Sequence, residues 1–356
     1  MENNIKNIVN NRNVITADFS VKNALERLNT FGVSDALTLF ILDAGNKLLG
    51  VITDGDVRRG LVNGLSIESN VTLMMNSNFK FLRKNDYSIN ELNGLRNAGI
   101  KLVPILDEFN VITRLINLQV TRSILPIDVL IMAGGRGERL KPLTNNTPKP
   151  LLNVGDKPII EHNIDRLISY GVDSISISVK YLKEKIIDYC KDGSEKGISI
   201  HYIEESYELG TIGSLSMIKD PVHDDILIMN SDILTNIDFE DFYYHYKESG
   251  ADMAVATVPY HIDLPYAILE IEEGKVISLK EKPRYTYFAN AGIYIIKKGL
   301  LKMIPDQQFY NATDLMEKIV QQNFKLIQYP ILGYWLDIGR INDYDKAQED
   351  IKIIKF

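Results

Sequence analysis

Between residues 127 and 158 the chain reads IDVLIMAGGRGERLKPLTNNTPKPLLNVGDKP, a stretch dense in residue types that handle phosphate. Ala133 is followed by three closely spaced glycines, Gly134, Gly135 and Gly137. Glycine lets a backbone bend sharply and approach a ligand closely. Successive N–H groups in such a turn form a concavity for anions. Arg136, Arg139, Lys141 and Lys149 add four cations within 14 residues, so the expected ligand carries several negative charges. Two common phosphate loops are excluded. The nucleoside-triphosphatase loop ends in Gly-Lys-Ser/Thr, whereas Gly137 is followed by Glu138 and Arg139. The dinucleotide fingerprint counted from Gly135 meets Leu140 where its third glycine must stand.

Such a loop needs a rigid element behind it. Ile127–Met132 is an apolar run without helical polar spacing, which predicts a buried strand. Beyond it, strand-like and helix-like stretches alternate, the pattern of βαβ units on a mostly parallel sheet. Lys157–Ile168 reads as a helix, and Ser174–Val179 and Ile226–Met229 read as strands. The last of these ends at Asn230-Ser231-Asp232. In open α/β sheets ligands sit beyond the carboxyl ends of strands, where both the glycine loop and Asp232 fall. Taken alone, Asp232 reads as a cap or turn residue.

Gly-Gly-x-Gly-x-Arg-Leu-x-Pro-Leu-Thr, followed by Thr147-Pro148-Lys149-Pro150, resembles the signature of the sugar-1-phosphate nucleotidylyltransferases. The resemblance implies a Rossmann-like α/β catalytic domain over residues 127–356. It also implies transfer of a nucleotidyl group from a nucleoside triphosphate to a sugar 1-phosphate, with release of pyrophosphate. Both reactants are anions, so catalysis would consist mostly of positioning and charge neutralisation. Arg139 would stabilise the triphosphate and the departing pyrophosphate, and Lys149 would stand between the two phosphates. Mg²⁺ is the implied cofactor, held by Asp232 and by Asp337 of Trp335-Leu336-Asp337-Ile338-Gly339, 105 positions further on. Nucleotide contacts would come from Ala133, Gly134, Gly135 and Gly137 and from Leu209, Gly210 and Thr211. Ile212 stands where the family has alanine, and its bulk is expected to crowd the base. Sugar contacts would come from Glu281, Lys282, Asn290 and Gly292. The five histidines stand singly, without metal-ligand spacing, and there is no Ser–His or Cys–His nucleophile arrangement.

The chain's 356 residues suggest about two domains. A net charge of −7 argues against non-specific nucleic-acid binding, which makes the cations near Arg139 a local feature. Cys190 is the single cysteine, which excludes an intramolecular disulfide and fits a reducing compartment. The first residues lack the apolar core of a secretion signal, and no apolar run approaches the roughly 18 residues of a membrane span. A cytoplasmic protein without membrane partners is the expectation.

Residues 1–122 carry a weak internal repeat. In each copy a helical pattern, begun at Ser20 and at Ser88, precedes two strand-like runs around a turn. Asp43 and Asp107 correspond, as do Asn46 and Asn110, each pair 64 residues apart. Residues 123–126 form a short joint to the catalytic half. The first half resembles a tandem pair of CBS domains of α+β type, best matched at Gly50–Arg59. That resemblance implies that Thr53 and Asp56 hold the ribose of an adenine nucleotide. Asn117 and Val120 stand at the corresponding places of the second copy, so at most one such site is expected. Such pairs often associate, implying a homo-oligomer, and a purely bracing role is the alternative. The arrangement as a whole resembles bacterial guanylyltransferases of legionaminic acid pathways. It implies GTP together with glucosamine 1-phosphate or its N-acetyl form. The base-contacting residues leave UTP and dTTP open. A nucleotide sensor without catalysis is the alternative of another class, and the joint presence of Arg139, Lys149, Asp232 and Asp337 weighs against it.

Overall fold

In the computed structural model residues 11–32, 35–84, 86–87 and 89–354 are described, and the chain divides into two compact units, 1–123 and 124–356. The N-terminal unit builds one pattern twice. Strand β1 (Val14–Thr16), helix α1 (Val21–Leu28), β2 (Thr38–Leu42) and β3 (Leu48–Thr53) precede helix α2 (Asp54–Val62). Then β4 (Leu82–Arg83), α3 (Ile89–Asn97), β5 (Leu102–Leu106) and β6 (Ile112–Asn117) repeat the first four elements. Each copy is a three-stranded sheet with one parallel and one antiparallel pairing.

The repeated Asp and Asn residues explain the two hairpin turns. Asp43 Oδ1 accepts from the N–H groups of Gly45 and Lys47, and Asp107 Oδ1 accepts from those of Phe109 and Val111. Asn46 and Asn110 both sit at φ +63°, a left-handed conformation that asparagine tolerates. The Leu48 N–H meets the Asn110 carbonyl at 3.0 Å, and Phe40, Leu42, Leu48, Leu106 and Ile112 share one apolar cluster. Ser20 caps α1 as expected, whereas Ser88 lies outside the described residues.

The C-terminal unit begins with β7 (Asp128–Ala133), β8 (Asn153–Val154), β9 (Lys157–Pro158), α4 (Ile159–Ser169), β10 (Ser174–Val179), α5 (Lys183–Cys190) and β11 (Ser199–Glu204). It continues through β12 (Asp225–Asn230), β13 (Ile233–Thr235), α6 (Phe239–Ser249), β14 (Met253–Asp263), β15 (Ile268–Glu272), β16 (Lys275–Lys280) and β17 (Arg284–Lys297). It closes with α7 (Ala312–Gln321), β18 (Leu326–Pro330), β19 (Trp335–Asp337) and α8 (Ile341–Asp350). The central sheet has the order β11-β10-β7-β12-β17-β14-β18. It is parallel-rich but mixed, because β17 runs against both β12 and β14. The cause is local: β14 and β17 are joined through the β15–β16 ribbon without a crossover helix, so they meet antiparallel. Leu130, Ile226, Ile228 and Ile296 pack beneath Leu315 and Ile319, which face the sheet one turn apart on α7.

One local expectation changes. The helix predicted from Lys157 starts at Ile159, because Lys157 and Pro158 stay extended to pair with Val154 and Asn153. The β14–β17 pairing breaks between Val255 and Thr257, where residues 291–293 form a bulge and Gly292 takes φ +72°. Past that bulge β14 and β17 leave the sheet as a ribbon whose Tyr260, Ile262, Tyr287 and Phe288 side chains are exposed, as are Leu269, Ile271, Val276 and Leu279 of the β15–β16 hairpin. Among the described residues no helix is long and apolar enough to cross a membrane.

Asp225 opens β12 at 2% exposure and anchors α6. It accepts from Tyr243 Oη at 3.1 Å, Tyr246 Oη at 2.8 Å and Lys247 Nζ at 2.8 Å. Tyr246→Phe removes one bond to a buried charge and is expected to lower unfolding free energy by about 2 kcal/mol. Urea unfolding followed through Trp335, the only tryptophan, reads this unit, and an unchanged midpoint would exclude the anchor.

Candidate active site

A two-stranded ladder brings the distant aspartates together. In the β13–β19 pair, Ile233 faces Asp337 and Leu234 faces Leu336. The Ile338 N–H donates to the Asp232 carbonyl at 3.1 Å. Below this ladder Leu140, Leu152, Val154, Ile159, Leu234, Leu336, Ile338 and Ala347 form one core cluster. The cluster therefore fixes the glycine-loop segment, α4, the ladder and α8 as one body. Asn163 of α4 donates to the Ser231 carbonyl at 3.3 Å, and Ser231 N–H reaches Met132 O at 3.1 Å.

Lys149 neutralises the pair. Its ammonium, on a side chain only 12% exposed, hydrogen-bonds Asp232 Oδ2 and lies 3.8 Å from Asp337 Oδ1. Burial first, and then the Asp232 charge, push the Asp337 carboxyl above its ordinary value, while Lys149 and Arg139 pull it back. One oxygen of each aspartate, Asp232 Oδ1 and Asp337 Oδ1, is buried without a hydrogen-bond partner among the described residues. Buried polar atoms are rarely left so, and paired hard oxygens of this kind fit a divalent cation. No group of three or more acidic or imidazole ligands occurs among the described residues. An ion here would complete its shell from water and phosphate.

The loop after β7 is shaped by one of its three glycines. Gly137 alone of them has positive φ, at +62°, and the Thr144 hydroxyl donates to its carbonyl at 2.9 Å. A methyl group at Gly137 would lie 2.9 Å from Thr144 Cγ2 and 3.1 Å from Lys149 Cβ, so the turn and Lys149 are packed together. Arg139 sits in a short 3₁₀ turn with its guanidinium over Gly339, the glycine that follows Asp337-Ile338. Gly134 and Gly135 have ordinary backbone angles and line a cavity of about 280 Å³.

That cavity lies beyond the carboxyl ends of β7 and β12, on either side of which the sheet grows in opposite directions. Met132, Arg136, Lys149, Leu209, Gly210, Thr211 and Asp232 also line it. Thr211 is partly engaged elsewhere, since its Oγ1 accepts from the Ala312 N–H at the start of α7. Ile212 does not crowd the cavity: at 1% exposure it is buried in the core with Leu130 and Leu215. Sequence reasoning missed Lys180, Glu205, Glu208, Asn230, Ser231 and Phe309, which line the cavity too. Lys180 and Glu205 immediately follow β10 and β11, so the strand-end rule that found the loop also reaches them.

The proposed sugar residues are not gathered in the cavity. Gly292 meets it indirectly, because a side chain there would strike Asn230 at 2.6 Å. Asn290 belongs to the bulge, accepting from Gly292 N–H and donating to Tyr294 Oη, both at 2.9 Å. Glu281 and Lys282 precede Arg284, the first residue of β17, and neither is among the residues that line the cavity. In the N-terminal unit, Thr53 and Asp56 cap α2 reciprocally, and Asp56 also pairs with Arg59 at 2.5 Å. Asp56, Arg59, Asn63, Met74 and Asn76 line a separate cavity of about 460 Å³.

A glycine turn, a largely buried lysine side chain and a carboxylate pair thus stand together at the sheet's switch point. The chain belongs to the nucleotidyl transferase family, whose sequence profile matches residues 128–353. It is 30% identical over 238 residues to UTP–glucose-1-phosphate uridylyltransferase of Synechocystis sp., covering 61% of each chain. It is 31% identical over 225 residues to mannose-1-phosphate guanylyltransferase 1 of Arabidopsis thaliana, covering 60% of this chain and 62% of that one. The solved structure of HddC from Yersinia pseudotuberculosis superposes with a TM-score of 0.51 at 27% identity, over 63% of this chain and 99% of that one. The chain spans 56 to 64% of the length of the curated relatives it matches.

Gly137→Ala is expected to cost about 1–3 kcal/mol of stability, since a left-handed turn and a tight contact are both violated. Gly135→Ala, with nothing within 4 Å of the added methyl, serves as the control and is expected to cost under about 0.5 kcal/mol. Equal costs in urea unfolding would exclude crowding as the reason for Gly137.

Proposed function

We propose that the C-terminal unit transfers a nucleotidyl group from a nucleoside triphosphate, GTP by preference, to a sugar 1-phosphate, releasing pyrophosphate. The observation that carries this reading is the half-buried Asp232–Asp337 pair, with Lys149 against both carboxylates and the glycine loop beside it. Glucosamine 1-phosphate or its N-acetyl form is the preferred acceptor, a choice supported only by the paired repeat that precedes the catalytic motifs. The relatives' names include both guanylyl- and uridylyltransferases, so they do not fix the base.

The acceptor is already an anion, so its phosphate oxygen attacks the α-phosphorus without a general base. The new P–O bond forms as the bond to pyrophosphate breaks, and the electron pair leaves with pyrophosphate. Lys149 would lower the repulsion between the two phosphates on approach, and the Arg139 fork would take up charge on the departing group. Loop N–H groups at Gly134 and Gly135 would orient the triphosphate. Asp232 and Asp337 would hold Mg²⁺, which when bound supplies further neutralisation of phosphate charge.

Offering each of the four triphosphates with a panel of sugar 1-phosphates and Mg²⁺, while following pyrophosphate, tests this reading. Asp232→Asn is expected to lower turnover at least a hundredfold or so with the fold intact. Unchanged kinetics would remove Asp232 from the chemistry, and no turnover with any pair would favour a sensor.

We propose further that the N-terminal unit is a CBS pair with one adenine-nucleotide site at Thr53 and Asp56. The repeated Asp–Asn turns and the cavity beside Asp56 support it. Calorimetry with AMP, ADP and ATP is expected to show binding that weakens in Asp56→Ala. No heat with any of the three would leave only a bracing or assembly role.

A further inference from the structure

We propose that the arm formed by the outer halves of β14 and β17 and by the β15–β16 hairpin is where two copies of this chain associate, face to face about a two-fold axis. The proposal goes beyond the nucleotidyl-transfer reading and does not rest on it. Beyond Thr257 and Asn290 the two long strands pair only with each other, because β18 pairs no further than Pro330 and β12 meets β17 only from Ile293 onward.

The pairing register sorts the arm's residues by face. Val258 stands opposite Ala289, Tyr260 opposite Tyr287 and Ile262 opposite Tyr285, so one face is entirely aliphatic or aromatic. The other face holds Pro259 with Phe288, His261 with Thr286 and Asp263 with Arg284. Its polar groups find partners within the arm. His261 Nδ1 lies 3.0 Å from Thr286 Oγ1, and Arg284 Nε donates to Asp263 Oδ1 at 2.6 Å. The hairpin repeats the pattern. Leu269 faces Leu279 and Ile271 faces Val276, while on the opposite face Glu270 accepts from Ser278 and from Lys280 at 2.5 and 2.6 Å.

Strands that alternate in this way ordinarily bury the apolar side. Here that side is uncovered. Tyr260 is 61%, Ile262 40% and Tyr287 57% exposed, and the four aliphatic residues of the hairpin are 48 to 61% exposed. A whole aromatic side chain carries roughly 150–250 Å², so the arm exposes on the order of 800 Å² of apolar surface, more than a soluble monomer ordinarily shows. A stable dimer takes about 800 Å² from each partner. A two-stranded ribbon is also marginal in water by itself, and a second ribbon laid on its apolar face would turn it into one layer of a sandwich.

Charge favours a second copy over a different partner. In a two-fold contact a face meets itself, so an unpaired charge there would meet its own like. The apolar faces of ribbon and hairpin carry no charged residue. Asp263 and Glu270 stand on the opposite faces, neutralised by Arg284 and Lys280. An acidic or basic partner would find no complementary charge on the apolar side.

Light scattering during size exclusion and hydrogen exchange, both on the full chain, test this. The wild type is expected to elute as an assembly of at least two chains. Amides at residues 258–263 and 284–289 are expected to exchange about tenfold more slowly at about 50 μM than at about 0.5 μM protein. Tyr287→Glu sets like charges against each other across the axis and is expected to halve the mass and remove the tenfold slowing. Thr286→Glu adds the same charge to the polar face of the same strand and is expected to change neither. Should Tyr287→Glu prove insoluble, the concentration dependence of the wild type decides alone. A monomeric wild type, or exchange that ignores concentration, overturns the inference. Fast exchange would then leave the face to another kind of partner, and slow exchange would give it to another part of the same chain. A Thr286→Glu protein that dissociates as readily as Tyr287→Glu overturns it too.

Discussion

Two carboxylates that repel each other, Asp232 and Asp337, are held side by side, and the C-terminal unit is arranged so that they stay there. Neither could do so through its own side chain. The main-chain ladder between β13 and β19 imposes the proximity, and the aliphatic cluster from Leu140 to Ala347 keeps the ladder from shearing. The Lys149 ammonium offsets the repulsion while leaving one buried oxygen on each aspartate without a hydrogen-bond partner among the described residues. Any divalent ion held by the two aspartates would compete with that ammonium for their oxygens, since the two cations repel each other.

The remaining features of the site follow from where this pair lies. β7 and β12 are adjacent and parallel, so their carboxyl ends open on the same side of the sheet. The glycine turn after β7 delivers Arg136, Arg139 and Lys149 to that side, and the turn after β12 delivers Asp232. Lys180 and Glu205 arrive by the same rule from β10 and β11. Four parallel strands thus contribute one face of polar residues, and the polar residues at their ends differ in charge along the cavity.

The site was legible in the sequence wherever the chemistry is carried by consecutive residues. The glycine loop and its cations were readable from type and spacing, whereas the roles given to Lys149 and Asp232 came from the family resemblance, Asp232 alone reading as a cap or turn residue. The partnership of Asp232 with Asp337 was accessible only through family resemblance, because no local pattern records a ladder between segments 105 positions apart. Glu205 went unread because a lone glutamate after a polar edge strand carries no spacing signal. Glu281 and Lys282 were assigned to the sugar through the family motif, and neither lines the cavity beyond β7 and β12. The antiparallel course of β17 escaped for a related reason, since strand periodicity says nothing about direction. In the N-terminal unit the Asp–Asn turns were legible because side chains within four residues determine them.

The bulge at residues 291–293 separates two regimes of cohesion. On one side β17 is clamped between β12 and β14 within the apolar core. On the other, the same strand continues into a two-stranded ribbon with water on both faces. Ribbons of that kind are marginal on their own and open at a small fraction of the global unfolding free energy. The bulge therefore works as a firebreak. Opening that starts at Tyr260 or Tyr287 would stop at Gly292 and leave the amides around Asn230 protected.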